Sequence, residues 1–265
     1  MLSAGACPLH ASVTAGSPLT GEPTSGFPAV GRFGTTWNLN GSGTAVFDGN
    51  YVLTARHLVT TGGGIAGSLR PASDLQFQLG GMNYSAVAVY AEFGGDVALV
   101  RLSAPCPTYV ELYTGASGSE SSQVFTAIGF GQNDSDGDGR WGPDGLGVKK
   151  AFQNRVDAII DSGVQGSVLR YDFDKTSGDT VGPSEGLNGN GDSGGGLFLW
   201  NSGKWQLAGV LSSAGDPLDG ATGSAIQVSA YSGQIIAAVP EPSNATVLCG
   251  LGLGLLVRGN RRVRN

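Results

Sequence analysis

Ser193 sits in Gly189-Asn190-Gly191-Asp192-Ser193-Gly194-Gly195-Gly196, immediately ahead of the apolar run Leu197-Phe198-Leu199-Trp200, which reads as a tight turn feeding a buried strand. Glycines tolerate positive φ and let another backbone come close. A nucleophile requires this if the peptide N–H groups beside it are to face a developing oxyanion. In a chain holding 46 glycines a Gly-rich turn without chemistry would read alike, so the rest of the machinery has to be found elsewhere. A serine hydroxyl is a weak nucleophile at neutral pH and needs a base within hydrogen-bond reach, usually a histidine oriented by a carboxylate. The two histidines are His10, in a polar, Pro-containing leader without periodicity, and His57, which ends the β-prone run Asn50-Tyr51-Val52-Leu53-Thr54-Ala55-Arg56. A strand end would fix the side chain of His57, and that makes it the expected base.

Chain order separates the known arrangements of such groups. Gly191-Asp192-Ser193-Gly194-Gly195 also fits the nucleophile elbow of α/β-hydrolases, but there the histidine follows the serine, and no histidine follows Ser193. A subtilisin-like order would put the acid before the histidine. Asp48, nine residues upstream on the same short hairpin, is poorly placed to reach around the ring. The remaining order is His, Asp, Ser. Asp96 in Gly94-Gly95-Asp96-Val97-Ala98-Leu99-Val100 opens a continuous apolar strand that would draw it into the core, where a carboxylate needs a partner. An aspartate capping a turn would look the same there, and Asp157 in Val156-Asp157-Ala158-Ile159-Ile160 is the other candidate.

Leu53-Thr54-Ala55-Arg56-His57, Asp96-Val97-Ala98-Leu99-Val100 and Gly191-Asp192-Ser193-Gly194-Gly195 together resemble the trypsin/chymotrypsin-like serine protease family, in its order and at about its spacing. The resemblance runs from about Phe27 to Ala238. It implies two packed six-stranded antiparallel β-barrels with the site in the crevice between them. By resemblance Ser193 attacks the scissile carbonyl, His57 moves the proton, Asp96 holds the imidazole, and the N–H groups of Gly191 and Ser193 bind the oxyanion. The same resemblance places Leu187 at the base of the primary specificity pocket, with Ala214 and Gly223 on its walls. It also makes Leu207 to Ala214, with Ser212 and Ser213, the strand that pairs with substrate backbone. With no carboxylate among those positions, an uncharged residue before the scissile bond is expected. Animal members clamp the histidine loop with a disulfide, and the matching positions here are Ser42 and Leu58.

Composition agrees with an all-β fold. The 265 residues are 40% hydrophobic and 14% charged, glycine-rich and long enough for one large or two small domains. Net charge is −6; four arginines against one glutamate give the last 26 residues +3, so the remainder carries −9 and is a poor match for nucleic acid. Cys7, Cys106 and Cys249 are too few and too scattered to read as a disulfide framework. Short β-prone runs separated by turn residues recur through 27–115 and again through 116–238, the spacing of barrels or sandwiches, before a helix-like segment from Tyr231. Residues 1–26 form a leader or pro-segment without the apolar stretch of a signal peptide. In family members a freed N-terminus often pairs with the aspartate before the nucleophile, here Asp192, and the leader shows no obvious cleavage site for such activation.

Two segments lie outside the barrel pattern. Asp134, Asp136 and Asp138, with Asp144 further on, place oxygen ligands at alternate positions as in the first half of a calcium loop, although Gly145 stands where a bidentate glutamate belongs. A structural Ca²⁺ and a plain solvated loop are both open readings, and no other cofactor is required. After Pro240-Glu241-Pro242, an apolar stretch over 245–257 leads to Arg258, Arg261, Arg262 and Arg264, an order that resembles the PEP-CTERM sorting tail of Gram-negative bacteria. Residues 239–265 are therefore expected to associate transiently with a membrane and to meet a sorting protease, leaving the enzyme in the envelope, at the cell surface or outside the cell. The expected function is an exported serine endopeptidase acting on protein or peptide substrates. A catalytically silent barrel used for binding or adhesion, a restricted esterase and a self-processing protease are the competing readings.

Overall fold

In the computed structural model, which describes residues 13–14, 25–133, 141–142, 146–174 and 179–240, strands carry nearly all the regular structure. The two leader residues of β1 (Val13–Thr14) are followed by β2 (Val30–Thr35), β3 (Asn38–Val46), β4 (Tyr51–Thr54), β5 (Leu75–Leu79), β6 (Met82–Tyr90) and β7 (Ala98–Leu102). β2 to β7 close into a six-stranded antiparallel barrel in the order β2-β3-β4-β7-β6-β5. Alternation drives this. In β5 the apolar Leu75, Phe77 and Leu79 turn inward while Gln76 and Gln78 turn out. Phe33, Val52, Phe77, Ala98 and Val100 fill the interior.

The second half supplies β8 (Val124–Gly129), β9 (Lys150–Arg155), β10 (Ala158–Asp161), β11 (Ser167–Phe173), β12 (Gly186–Leu187), β13 (Gly196–Asn201), β14 (Lys204–Ala214) and β15 (Ala221–Gln227). Seven of them form one curled antiparallel sheet, β10-β11-β15-β14-β13-β8-β9, around Phe125, Phe152, Tyr171, Leu197 and Leu211. The sequence reads 151–160 as one strand, and the structure breaks it at Val156 and Asp157. The N–H of Val156 still bonds back to Gln123 O at 3.0 Å, and that of Asp157 reaches Arg170 O at 2.9 Å. One bent segment therefore pairs with β8 and then with β11, at opposite edges of the sheet. That is why six expected strands become seven. β12 stands apart and pairs with β1, Val13 opposite Leu187, a contact invisible in a leader without periodicity.

Between the two sheets lies a third apolar cluster, including Val30, Leu53, Leu99, Phe198, Val210 and Ile226. Helix α1 (Val228–Ala237) lays Tyr231 and Ile235 against it. Burying each side chain contributes about 2 kcal/mol, so these two residues hold the helix to the cluster. No helix among the described residues is long and apolar enough to cross a membrane.

Candidate active site

His57 lies in a short 3-10 turn, Arg56–Val59, as the chain leaves β4, which pairs with β3 and β7 in the first barrel. Asp96 stands two residues before β7, the neighbour of β4, so the pairing of Thr54 with Ala98 brings acid and base together. The imidazole Nδ1 is 2.8 Å from Asp96 Oδ2, and the His57 backbone N–H donates to Oδ1 at 2.9 Å. Asp96 is 1% exposed and accepts a third hydrogen bond, from Ser212 Oγ at 2.6 Å. A carboxylate so placed keeps the proton on Nδ1 and leaves Nε2 as the acceptor.

Ser212 reaches Asp96 because of a local irregularity. The register of β14 against β15 shifts between Leu211 and Ser213, so Ser212 is the extra residue of a bulge, and a bulge re-aims a side chain. Gln165 adds to the arrangement from a turn of the second half, donating to Ser212 Oγ at 3.2 Å and Ser213 Oγ at 2.9 Å.

Ser193 opens the turn into β13 and shares one cleft with His57. Its hydroxyl donates to Ser212 O at 3.2 Å. Gly191 has φ of +97° and Gly194 of +82°, conformations that only glycine takes without strain. A Cβ on Gly194 would lie 2.1 Å from Ser42 O, so this turn presses directly on the first barrel. The backbone N–H groups of Gly191 and Ser193 donate to no acceptor among the described residues, whereas those of Asp192, Gly194 and Gly195 are all bonded within the protein. Two adjacent free donors on either side of Asp192 can receive an oxyanion.

The turn is held from both sides. Ser42 N donates to Ser193 O at 2.8 Å, Ser42 Oγ donates to Gly191 O at 2.9 Å, and Ser42 Oγ itself accepts the N–H of Phe130 at 3.0 Å. Leu58 packs on Gly41 next door. At the positions matching the animal disulfide, the Ser42 hydroxyl and N–H thus tie the first barrel to the second, while Leu58 packs within the first. On the other side, the Asp192 carboxylate accepts the N–H groups of Gly131 at 2.6 Å and Gly189 at 2.8 Å. The ammonium of Lys150, 3% exposed, donates to the carbonyl of the same Gly131. Burial lowers the Lys150 pKa to about 8 and the Asp192 charge draws it back up.

The expected substrate-binding residues divide into two groups. Ser213 and Ala214 are exposed on β14, while Leu187 is wholly buried in the second core and Gly223 lies beneath Tyr171, whose hydroxyl donates to Asn188 Oδ1 at 2.7 Å. Trp141 spans the two walls there: its ring lies against Gly189 and its indole N–H donates to Gly215 O at 3.2 Å. Asp134, Asp136, Asp138 and Asp144 lie outside the described residues, as do His10 and the 241–265 tail. Asp157, the other candidate acid, belongs to a different group. Its carboxylate lies with those of Asp172 and Asp179, all within 4.8 Å of one another, and burial followed by the Asp172 charge raises its pKa to about 7.

A family model described as the trypsin-like peptidase domain matches residues 41–210, well over half of the chain. The chain belongs to that family. The matched span contains His57, Asp96 and Ser193 and both sides of the crevice. No curated protein sequence matches the chain. Within this trypsin-like fold, Ser42, Ser212, Lys150 and Trp141 are site-building residues that sequence reading passes over or places in another role. Ser42 had a signal, as the partner position of a lost disulfide. Lys150 had none beyond being a lysine in a β-prone run.

Proposed function

We propose that the chain is a serine endopeptidase in which Ser193 is the nucleophile, His57 the base and Asp96 its orienting acid. The observation that carries this reading is the buried Asp96 bonded to His57 Nδ1 at 2.8 Å, in one cleft with Ser193, whose own N–H and that of Gly191 donate to no acceptor among the described residues. Rotation about the Cα–Cβ bond of Ser193 turns its hydroxyl from Ser212 O toward His57. Catalytic hydrogen bonds commonly form only as substrate arrives. The proton passes to His57 Nε2 as Oγ adds to the carbonyl, and the imidazolium, held by Asp96, returns it to the leaving amine. Water then repeats the sequence on the acyl-enzyme. The exposed edge at Ser213 and Ala214 supports pairing with substrate backbone, and the neutral Asn188 and Tyr171 beside Gly223, with Leu187 behind them, support cleavage after an uncharged residue.

The same proposal includes export and sorting through the PEP-CTERM-like tail, with a sorting protease as partner, and a structural Ca²⁺ on the Asp134 to Asp144 loop. A fluorophosphonate probe should label the wild type and not Ser193→Ala, and casein should be cleaved only by the former. Absence of labelling in a folded wild type would leave a binding barrel as the better reading. A melting temperature that rises with millimolar Ca²⁺ over chelator is the expectation for the loop, and an unchanged one removes the metal.

A further inference from the structure

On the far side of His57 and Ser193 from β14 lies a cleft of about 300 Å³ walled by the first barrel: the tip of the β2–β3 hairpin on one side, the segment after His57 on the other. If the acyl half of a substrate pairs along β14, its leaving-group half must pass over Ser193 into this cleft, where none of Ser212, Ser213 and Ala214 takes part. Two side chains set its character. Trp37 is 68% exposed in the two-residue turn between Thr35 and Asn38, a place where neither turn geometry nor the core asks for an indole. Arg70 lines the same cleft, its guanidinium pinned by Nε donating to Thr60 O at 3.0 Å and its backbone N–H donating to Val59 O at 2.8 Å.

Thr60 in turn donates from Oγ1 to His57 O at 3.0 Å, so the charge is fixed relative to the base and not free to wander. The terminal nitrogens of Arg70 meet no acceptor among the described residues, and no carboxylate lines the cleft. In a chain of net charge −6 a pre-positioned guanidinium that meets no carboxylate among the described residues, in the cleft that His57 and Ser193 line, is a selective feature. A guanidinium with its Nε already engaged presents its two terminal N–H edges as a fork that fits a carboxylate.

We infer that the cleft reads the leaving-group half of the substrate, Arg70 taking an Asp or Glu side chain within the first few residues past the scissile bond while Trp37 covers an apolar neighbour. This rests on the endopeptidase reading. It makes the substrate class proteins with an acidic residue just beyond an uncharged cleavage residue.

The test uses internally quenched peptides with one acyl half and Glu, Gln or Lys at each of the first three positions past the scissile bond. Their C-termini are amidated so that only side-chain carboxylates compete. At one of these positions the wild type should favour Glu over Gln by about tenfold in kcat/KM, chiefly through KM, with Lys below Gln, and the ratio should shrink as salt rises. Arg70→Gln should level the series, Arg70→Lys should keep part of it, and Arg70→Glu should reverse it so that Lys becomes preferred. The reversal shows that the variants fold. An identical Glu-to-Lys ratio in the wild type and Arg70→Glu overturns the inference while leaving hydrolysis intact. Binding of the same peptides to Ser193→Ala, read by anisotropy, separates the two claims. Charge preference there without turnover by the wild type would sink the protease reading and keep the site, and binding indifferent to charge would sink the site.

Discussion

The hydroxyl of Ser42 donates to the carbonyl oxygen of Gly191 at 2.9 Å, so the first barrel holds the Gly191–Ser193 turn of the second through this buried side chain as well as through the Ser42 N–H. The Ser42 hydroxyl oxygen is also the acceptor for Phe130 N–H. Ser42→Ala therefore strands a partly buried donor, Phe130 N–H, and a partly buried acceptor, Gly191 O, together, at a cost of about 2 kcal/mol. We expect a lower urea midpoint and, because the donors of Gly191 and Ser193 lose their brace, kcat lower by roughly tenfold with KM little changed. Wild-type kcat in the variant would mean that the bond from Ser42 N to Ser193 O suffices to fix the turn.

Asp96 takes three hydrogen bonds, two from His57 and one from Ser212. Asp96→Asn preserves the shape but offers an amide where a second acceptor is needed, which favours the wrong imidazole tautomer. A loss of kcat on the order of 10⁴-fold follows, with the fold retained by circular dichroism. If Asp157→Asn had the larger effect on kcat, the assignment of the acid would be wrong.

The legibility of this site differs residue by residue. His57 and Asp96 could be read because each sits at the end of a short apolar strand, and adjacent strands of one barrel place such ends side by side. Ser193 was legible from glycines that the turn's positive φ demands. Ser212 was legible only as part of a strand: its bond to Asp96 arises from a bulge, a register fault that no periodicity reveals. Lys150 was hidden for a related reason. A lysine in a β-prone run reads as outward-facing, yet here it is drawn inward because the Gly131 carbonyl and the Asp192 charge compensate its burial. The bend at Val156 and Asp157 was equally silent, since both halves of that strand are β-prone and only the change of partner marks the corner.

Asp157 is raised to about 7 by burial and by the Asp172 charge beside it. The native state thus holds a proton that the unfolded chain, near the ordinary 3.8, releases, so stability falls as pH climbs between these values. Asp157→Asn keeps an acceptor for the N–H of Asp172, now 2.8 Å from Oδ2, and removes the repulsion. The variant should gain about 1 kcal/mol at pH 8, after allowing for solvent screening, and nothing at pH 4. Melting curves at the two pH values decide it; an equal gain at both would assign the effect to packing.

At the other end of the domain, the N–H of Ala238 bonds back to Gln234 O at 3.1 Å and that of Val239 to Ile236 O at 3.0 Å, while Pro240 has none to give. Cutting after Val239 removes no described core residue. The shortened chain should melt within a degree or two of the full one and label equally with fluorophosphonate. Intact-mass measurement of protein from the source cells tests the sorting proposal, and a mature form still ending in Asn265 would argue for a permanent anchor instead.

Lys150 gives activity and stability opposite responses to alkali. Burial depresses its pKa from 10.5 to about 8, so between those values the native state binds fewer protons than the unfolded chain and stability rises with pH. Lys149, also lowered to about 8 by burial, contributes in the same direction. Yet the charge on Lys150 is what faces Asp192 through the Gly131 peptide, and its loss removes that attraction from a carboxylate that accepts the N–H groups of Gly131 and Gly189. We therefore expect kcat/KM to decline through about pH 8 while the urea midpoint holds or climbs. Lys150→Met should lower the neutral plateau and erase the decline, and Lys149→Met should keep it. An alkaline decline that persists in Lys150→Met would place the titrating group elsewhere and release Lys150 from any part in holding the oxyanion turn.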